Sequence, residues 1–170
     1  MLTNEIPAEA IELPAFETVC DDPDAYNKMF KLASEQQNPF SGKPLIQQHG
    51  NRTLLINPPA MPLNEVELDR LYALPFTRQP HPSYTEKIPA FEQIRNSITS
   101  HRGCFGGCAF GAITHHQGKT IQSRSEQSIL REIDQLAAQK DFHGTLSDVG
   151  GPTANMYGLS CGNPEAEKNC

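Results

Sequence analysis

Ile94-Arg95-Asn96-Ser97-Ile98-Thr99-Ser100, followed by His101-Arg102-Gly103-Cys104-Phe105-Gly106-Gly107-Cys108-Ala109-Phe110-Gly111, is the stretch on which the fold turns. Its first seven residues can form a strand, although Arg95 and Asn96 weaken the apolar pattern. The next eleven read as a glycine-rich loop. Ser123 and Glu126 then form an S-x-x-E helix start. Ile129, Leu130, Ile133, Leu136 and Ala137 trace one face of a helix that reaches about Lys140. Gly144-Thr145-Leu146-Ser147-Asp148-Val149 reads as a second strand, closed by Gly150-Gly151-Pro152. Strand, loop, helix and strand make a βαβ unit, which predicts parallel pairing and a right-handed crossover. Ligands of such units sit at the carboxyl ends of the strands. The cysteine loop and the Gly150-Gly151 turn fall at those two ends.

Toward the N-terminus the pattern loosens. Residues 1–20 read as polar coil with Pro7 and Pro14. Asp22-Pro23 predicts an N-cap followed by proline at the first helical position, and Tyr26, Met29, Phe30 and Ala33 carry the helix to about Gln37. Leu45-Ile46 and Thr53-Leu54-Leu55-Ile56 are short apolar runs of the strand type. Asn64 with Glu67 predicts a capping box, and Val66, Leu68, Leu71 and Tyr72 a short helix. Between Pro75 and Pro89 four prolines and little periodicity mark a linker or a loop wrapped on a surface. The expected division is 1–89 and 90–170.

Composition narrows the function classes. The net charge is −6, and residues 1–27 hold seven carboxylates with no Lys or Arg. The rest of the chain, with 13 acidic and 14 basic groups, is nearly neutral. This balance gives no nucleic-acid signal. No apolar run approaches the roughly 18 residues of a membrane span, and no signal-peptide pattern opens the chain, so the expectation is a cytoplasmic protein without a membrane segment. Five cysteines at irregular spacing do not suggest a disulfide framework. Leu, Ile, Phe and Val supply 36 of 170 residues. That is close to the roughly 20% at which disorder sets in, so the core is expected to be thin.

Cys104 and Cys108 carry the chemistry. Two thiolates four residues apart can share a soft metal or a cluster, and Gly103, Gly106 and Gly107 allow the tight turns that point both sulfurs inward. On spacing alone, two unpaired thiols in a flexible loop is the slightly favoured alternative. Gly150-Gly151-Pro152 can equally be a plain turn.

The run from His101 to Phe110 closely resembles the cluster loop of the radical SAM superfamily, and in particular its YgiQ-type family. The resemblance continues through Ile113-Thr114-His115-His116-Gln117-Gly118 and Gln122-Ser123-Arg124-Ser125 to Ser147-Asp148-Val149-Gly150-Gly151-Pro152-Thr153-Ala154-Asn155-Met156-Tyr157-Gly158. Upstream, Asn57-Pro58-Pro59 and Arg78-Gln79-Pro80-His81-Pro82 are similar to the same family. The fold implied is α/β: the start of a radical SAM partial (βα)6 barrel, with only its first strand, first helix and second strand. It is preceded by the tail of an N-terminal α/β domain of cobalamin-binding character. The resemblance implies a 4Fe-4S cluster held by three cysteines in a C-x3-C-x2-C motif, of which Cys104 and Cys108 are two. The open iron of such a cluster chelates S-adenosylmethionine, whose reductive cleavage gives a 5′-deoxyadenosyl radical. Phe110 is then expected beside the adenine and Gly150-Gly151 at the methionyl amine. A flavodoxin or ferredoxin is the implied electron donor, and the substrate is an unknown small molecule or macromolecule.

Two departures accompany the match. The third cysteine of the motif falls at position 111, which is Gly111 and has no side-chain donor. Replacement ligation by His115, His116, Cys161 or Cys170 is conceivable, but nothing in their spacing demands it; Cys20 reads as an ordinary thiol. Length is the second departure. A six-unit partial barrel should need on the order of 190 residues, and only 77 run from Ile94 to Cys170. The expectation is therefore a truncated member with a degenerate cluster motif. It is a radical SAM protein by family, or a non-catalytic remnant with at most loose metal binding, and a two-stranded parallel sheet should leave it marginally stable.

Overall fold

The structure, a computed structural model, describes residues 6–169. Its elements in chain order begin with β1 (Ile11–Glu12), α1 (Phe16–Asp21), α2 (Pro23–Glu35), β2 (Leu45–His49) and β3 (Arg52–Ile56). α3 (Glu65–Tyr72), α4 (Pro89–Ile94), β4 (Ser97–Thr99), β5 (His101–Arg102) and α5 (Ile113–Gln117) follow. β6 (Gln122–Ser123), α6 (Glu126–Ala137), β7 (Asp148–Gly150) and α7 (Pro164–Lys168) complete the described chain. Two compact units result: one takes the chain as far as Pro62 together with the segment from Cys161, and the other is Leu63–Ser160.

In the first unit, β1 runs parallel to β2, with Ile11 opposite Leu45. β2 and β3 form an antiparallel hairpin from the Leu45–Ile56 pair to the His49–Arg52 pair, and Gly50 takes φ 54 in its turn. The expected cap of α2 is present. The Asp22 carboxylate accepts the Asp24 N–H at 2.9 Å, and Pro23 fills the first helical position, where no N–H is needed. Leu13 and Leu45 are buried, and so is Gln47, whose amide donates to the Pro14 carbonyl at 3.0 Å.

In the second unit, α3 begins with the expected capping box, in which Asn64 and Glu67 satisfy each other's backbone amides. The next two elements start elsewhere than the sequence pattern implied. Pro89 opens α4, which takes Ile94 into a helix and leaves only Ser97–Thr99 extended. Helix α6 is capped by Ser125, which accepts the Ser128 N–H at 3.1 Å. Ser123 instead pairs in β6, so the S-x-x-E match picked the wrong serine.

β4 and β7 pair in parallel, Ser97 with Asp148, Ile98 with Val149 and Thr99 with Gly150. The predicted strand–helix–strand unit is therefore present, within a mixed α/β architecture of small sheets and helices. Among the described residues the parallel sheet has these two strands. α6 packs its apolar face on β4: Ile98, Ile129 and Leu136 form the buried core, with Ile133, Phe142, Leu146 and Tyr157 against it. β5 and β6 were not anticipated. They pair antiparallel, His101 with Ser123 and Arg102 with Gln122, and so close the base of the cysteine loop.

Candidate functional site

The cysteine loop leaves the carboxyl end of β4 through β5 and returns through α5 and β6. Its entry is held from the far side. The Gly103 N–H donates to Gln117 Oε1 at 3.2 Å, and the Cys104 N–H donates to the Gly118 carbonyl at 3.0 Å. Gly103 itself takes φ 93, and a Cβ there would lie 2.3 Å from the Thr120 carbonyl oxygen. Glycine is required on both counts.

Both sulfurs then face one small volume. The place a Cβ would take at Gly106 is 3.3 Å from Cys104 Sγ and 3.8 Å from Cys108 Sγ. Cys104 is buried and Cys108 is exposed. The Thr153 hydroxyl and the Gly106 N–H each donate to Cys104 Sγ at 3.4 Å. These two hydrogen bonds favour the thiolate and outweigh the burial that opposes it, so the Cys104 thiol sits below its ordinary pKa. The Thr114 hydroxyl fixes the same turn by donating to the Cys104 carbonyl at 2.8 Å.

The Gly150-Gly151 turn has a sharper constraint than a turn alone would need. A Cβ on Gly151 would fall 2.1 Å from Nε2 of His101, whose side chain is fully buried. Nε2 accepts the Met156 N–H at 3.3 Å, so in the neutral ring the proton is on Nδ1, which donates to the Ser100 hydroxyl at 2.9 Å. His101 thereby ties the end of β4 to the segment after β7. A cavity of about 120 Å³ opens at this end of the two strands, bordered by Thr99, His101, Gly150 and Gly151. Phe110 stands apart, 93% exposed.

Behind the loop lies a charged interior that sequence reasoning missed. Arg124 is 1% exposed. It donates to the Thr99 carbonyl at 2.8 Å and to the Ser128 carbonyl at 2.9 Å, and it ion-pairs with Glu132. Its guanidinium lies 4.1 Å from the centroid of the Tyr72 ring, and its carbonyl accepts the Tyr157 hydroxyl at 2.9 Å. Glu132 also pairs with Arg78. Burial lowers the pKa of both arginines, yet each stays a cation beside this carboxylate. The only sequence signal was that Arg78 and Arg124 lay in motif runs, which gave no hint that they meet.

A profile of the Radical SAM N-terminal family matches residues 2–97. The chain belongs to the radical SAM N-terminal family. The YgiQ-type resemblance is borne out with it, since the relatives are UPF0313 proteins aligned over nearly the whole chain. One from Geobacter sulfurreducens is 62% identical over 96% of this chain and 27% of its own length. One from Methanocella arvoryzae is 53% identical over 96% of this chain and 27% of its length. One from Bradyrhizobium diazoefficiens is 48% identical over 99% of this chain and 25% of its length. The chain thus spans about a quarter of the length of these curated relatives. No solved structure matches it significantly.

Radical SAM membership makes the donor set of the loop the deciding chemistry. A three-thiolate attachment needs a donor beyond Cys104 and Cys108. Gly111 offers none, and among the described residues no group of three His, Cys, Asp or Glu side chains is placed to hold a metal. His115 and His116 are exposed on α5 and join no such group. Cys161 donates its thiol to the Asn163 carbonyl at 3.2 Å, and Cys20 is exposed. Cys170 lies outside the described residues. The side chains of the described residues do not fit a cluster held by three cysteines. The backbone does leave room for the missing one, because a Cβ at Gly111 would meet only Cys108, at 3.4 Å from its Cβ and 3.5 Å from its carbonyl oxygen.

Proposed function

We propose that the chain descends from a cytoplasmic radical SAM enzyme served by a 4Fe-4S cluster, S-adenosylmethionine and a flavodoxin- or ferredoxin-type electron donor. Its ancestral substrate, small molecule or macromolecule, is not assigned. On this reading, residues 1–89 are the later part of the family's N-terminal domain with its proline-rich linker, and residues 90–170 the first part of the radical core. As it stands the chain is non-catalytic and binds iron at most loosely through Cys104 and Cys108. The observation that carries this reading is at Gly111: space for a side chain next to Cys108, and no third ligand grouped with the two cysteines among the described residues.

Anaerobic reconstitution with iron and sulfide tests it, comparing the natural chain with Gly111→Cys after desalting. The natural chain should retain well below one cluster equivalent and leave S-adenosylmethionine intact. Gly111→Cys should retain about four irons per chain with the absorbance of a thiolate-bound cluster. Retention of about four irons together with S-adenosylmethionine cleavage by the natural chain would overturn the proposal. Failure of both forms to hold a cluster would remove Gly111 as the cause.

A further inference from the structure

A groove of about 620 Å³ lies within the second unit, bordered by α3, the segment after it, β5, α5 and β6. Its size is that of a small-molecule site, which runs from roughly 300 to 1,000 Å³. Leu63, Leu71, Leu74 and Phe76 give it an apolar wall, and the last three of these are about half exposed or more. Side chains this apolar gain from being covered.

Tyr72, Arg102, His116, Gln117 and Gln122 are the polar side chains on its border, and donors predominate among them. Arg102 contributes a guanidinium that forms no ion pair among the described residues and whose one hydrogen bond, 3.5 Å long, goes to the Tyr72 hydroxyl. Gln117 and Gln122 also border the groove. The Oε1 of Gln117 is occupied by the Gly103 N–H, and that of Gln122 by the Leu63 N–H at 2.9 Å. Those two bonds orient the amides, so each glutamine is left with an NH2 group that donates to nothing within the described chain. No carboxylate borders the groove. Three sets of donors beside an apolar wall call for an acceptor-rich anionic head on an apolar body.

We infer that the groove bordered by Leu71, Phe76, Arg102, Gln117 and Gln122 is a binding site for an amphiphilic carboxylate, its head on Arg102 and its chain along the leucines. Sodium octanoate is the probe, with octan-1-ol and acetate as the separated tail and head. Calorimetry on the full chain should show saturable octanoate binding at one site, weaker binding of octan-1-ol and none of acetate. Amide NMR shifts on titration should centre on Leu71, Phe76 and Gln122. Arg102→Gln should weaken octanoate binding roughly tenfold or more and leave octan-1-ol unchanged, because only the charge-assisted bonds are lost. Arg102→Lys should recover part of the loss. Arg102 is exposed, and circular dichroism of both variants checks that folding is untouched. The inference is overturned by an absence of saturable octanoate binding, by equal binding of octan-1-ol, by indifference to Arg102→Gln, or by shifts centred elsewhere.

Discussion

Gly151 and His101 depend on each other at the scale of single residues. The imidazole occupies the space a side chain on Gly151 would need, and its two nitrogens bond the Ser100 hydroxyl and the Met156 amide. Gly151→Ala must push the ring out of that space or shift the end of β7. Urea unfolding should report a loss of about 1–3 kcal/mol, the usual cost of overpacking a tight interior. Gly150→Ala is the control, since the nearest group its added Cβ would meet is the Asp148 carboxylate, at 3.3 Å. An equal loss in both variants would show that a general glycine requirement, and not the imidazole, sets the constraint. Sequence reasoning found Gly151 by its motif but missed its reason. His101 and Gly151 are fifty positions apart in sequence, and no local pattern reports that an imidazole fills the space a glycine leaves.

At the scale of elements, the starts of α2 and α3 were legible, whereas those of α4 and α6 and the strand limits were not. Asp22 and the Asn64–Glu67 box were found because a cap is a short-range pattern of side chain and backbone amide. Ser125 was missed because Ser128, and not Glu or Gln, stands three residues after it, so the box pattern fell on Ser123 instead. The Asp69 carboxylate on α3 accepts both the backbone N–H of Ser125, at 3.0 Å, and its hydroxyl. Strand β4 came out shorter than expected because Pro89 starts a helical turn that carries through Ile94. The Asp69 contact carries a pH dependence. Burial alone would raise its pKa, but the Ser125 bonds, helped by Ser128 and Arg124, bring it below the ordinary carboxylate value. A carboxyl group depressed on folding stabilises fully above its unfolded pKa of about 3.9 and loses that contribution as pH falls through the native value. The natural chain should therefore lose stability below about pH 4 more steeply than Asp69→Asn, with the two curves parallel at neutral pH. Parallel acid limbs would exclude the contact as the source.

Over the whole molecule the thin core expected from composition is what the described residues display. Eight apolar residues are buried, whereas Phe30, Phe76, Tyr84, Ile94 and Phe110 are each about half exposed or more. No helix among the described residues is long and apolar enough to cross a membrane. The natural chain is expected to self-associate as its concentration rises and to unfold at low urea. Light scattering across a concentration series, with urea melts alongside, checks this; a monodisperse monomer with a steep cooperative transition would speak against it. Family membership was legible throughout because it rests on contiguous runs such as His101–Phe110. The chemistry of the loop turned on a single position inside that run. The Arg78–Glu132–Arg124 network was illegible, because only the fold brings Arg78 to the other two.

The open space at Gly111 also bears on heredity. Some glycine codons differ from a cysteine codon at a single base, and here an added Cβ makes only ordinary contacts with Cys108. The space at this position is therefore open to a side chain. A lineage could pass from ligand to no ligand, and back, in one mutational step without any change in how the loop is built, and only the demand for the chemistry itself would hold the cysteine in place.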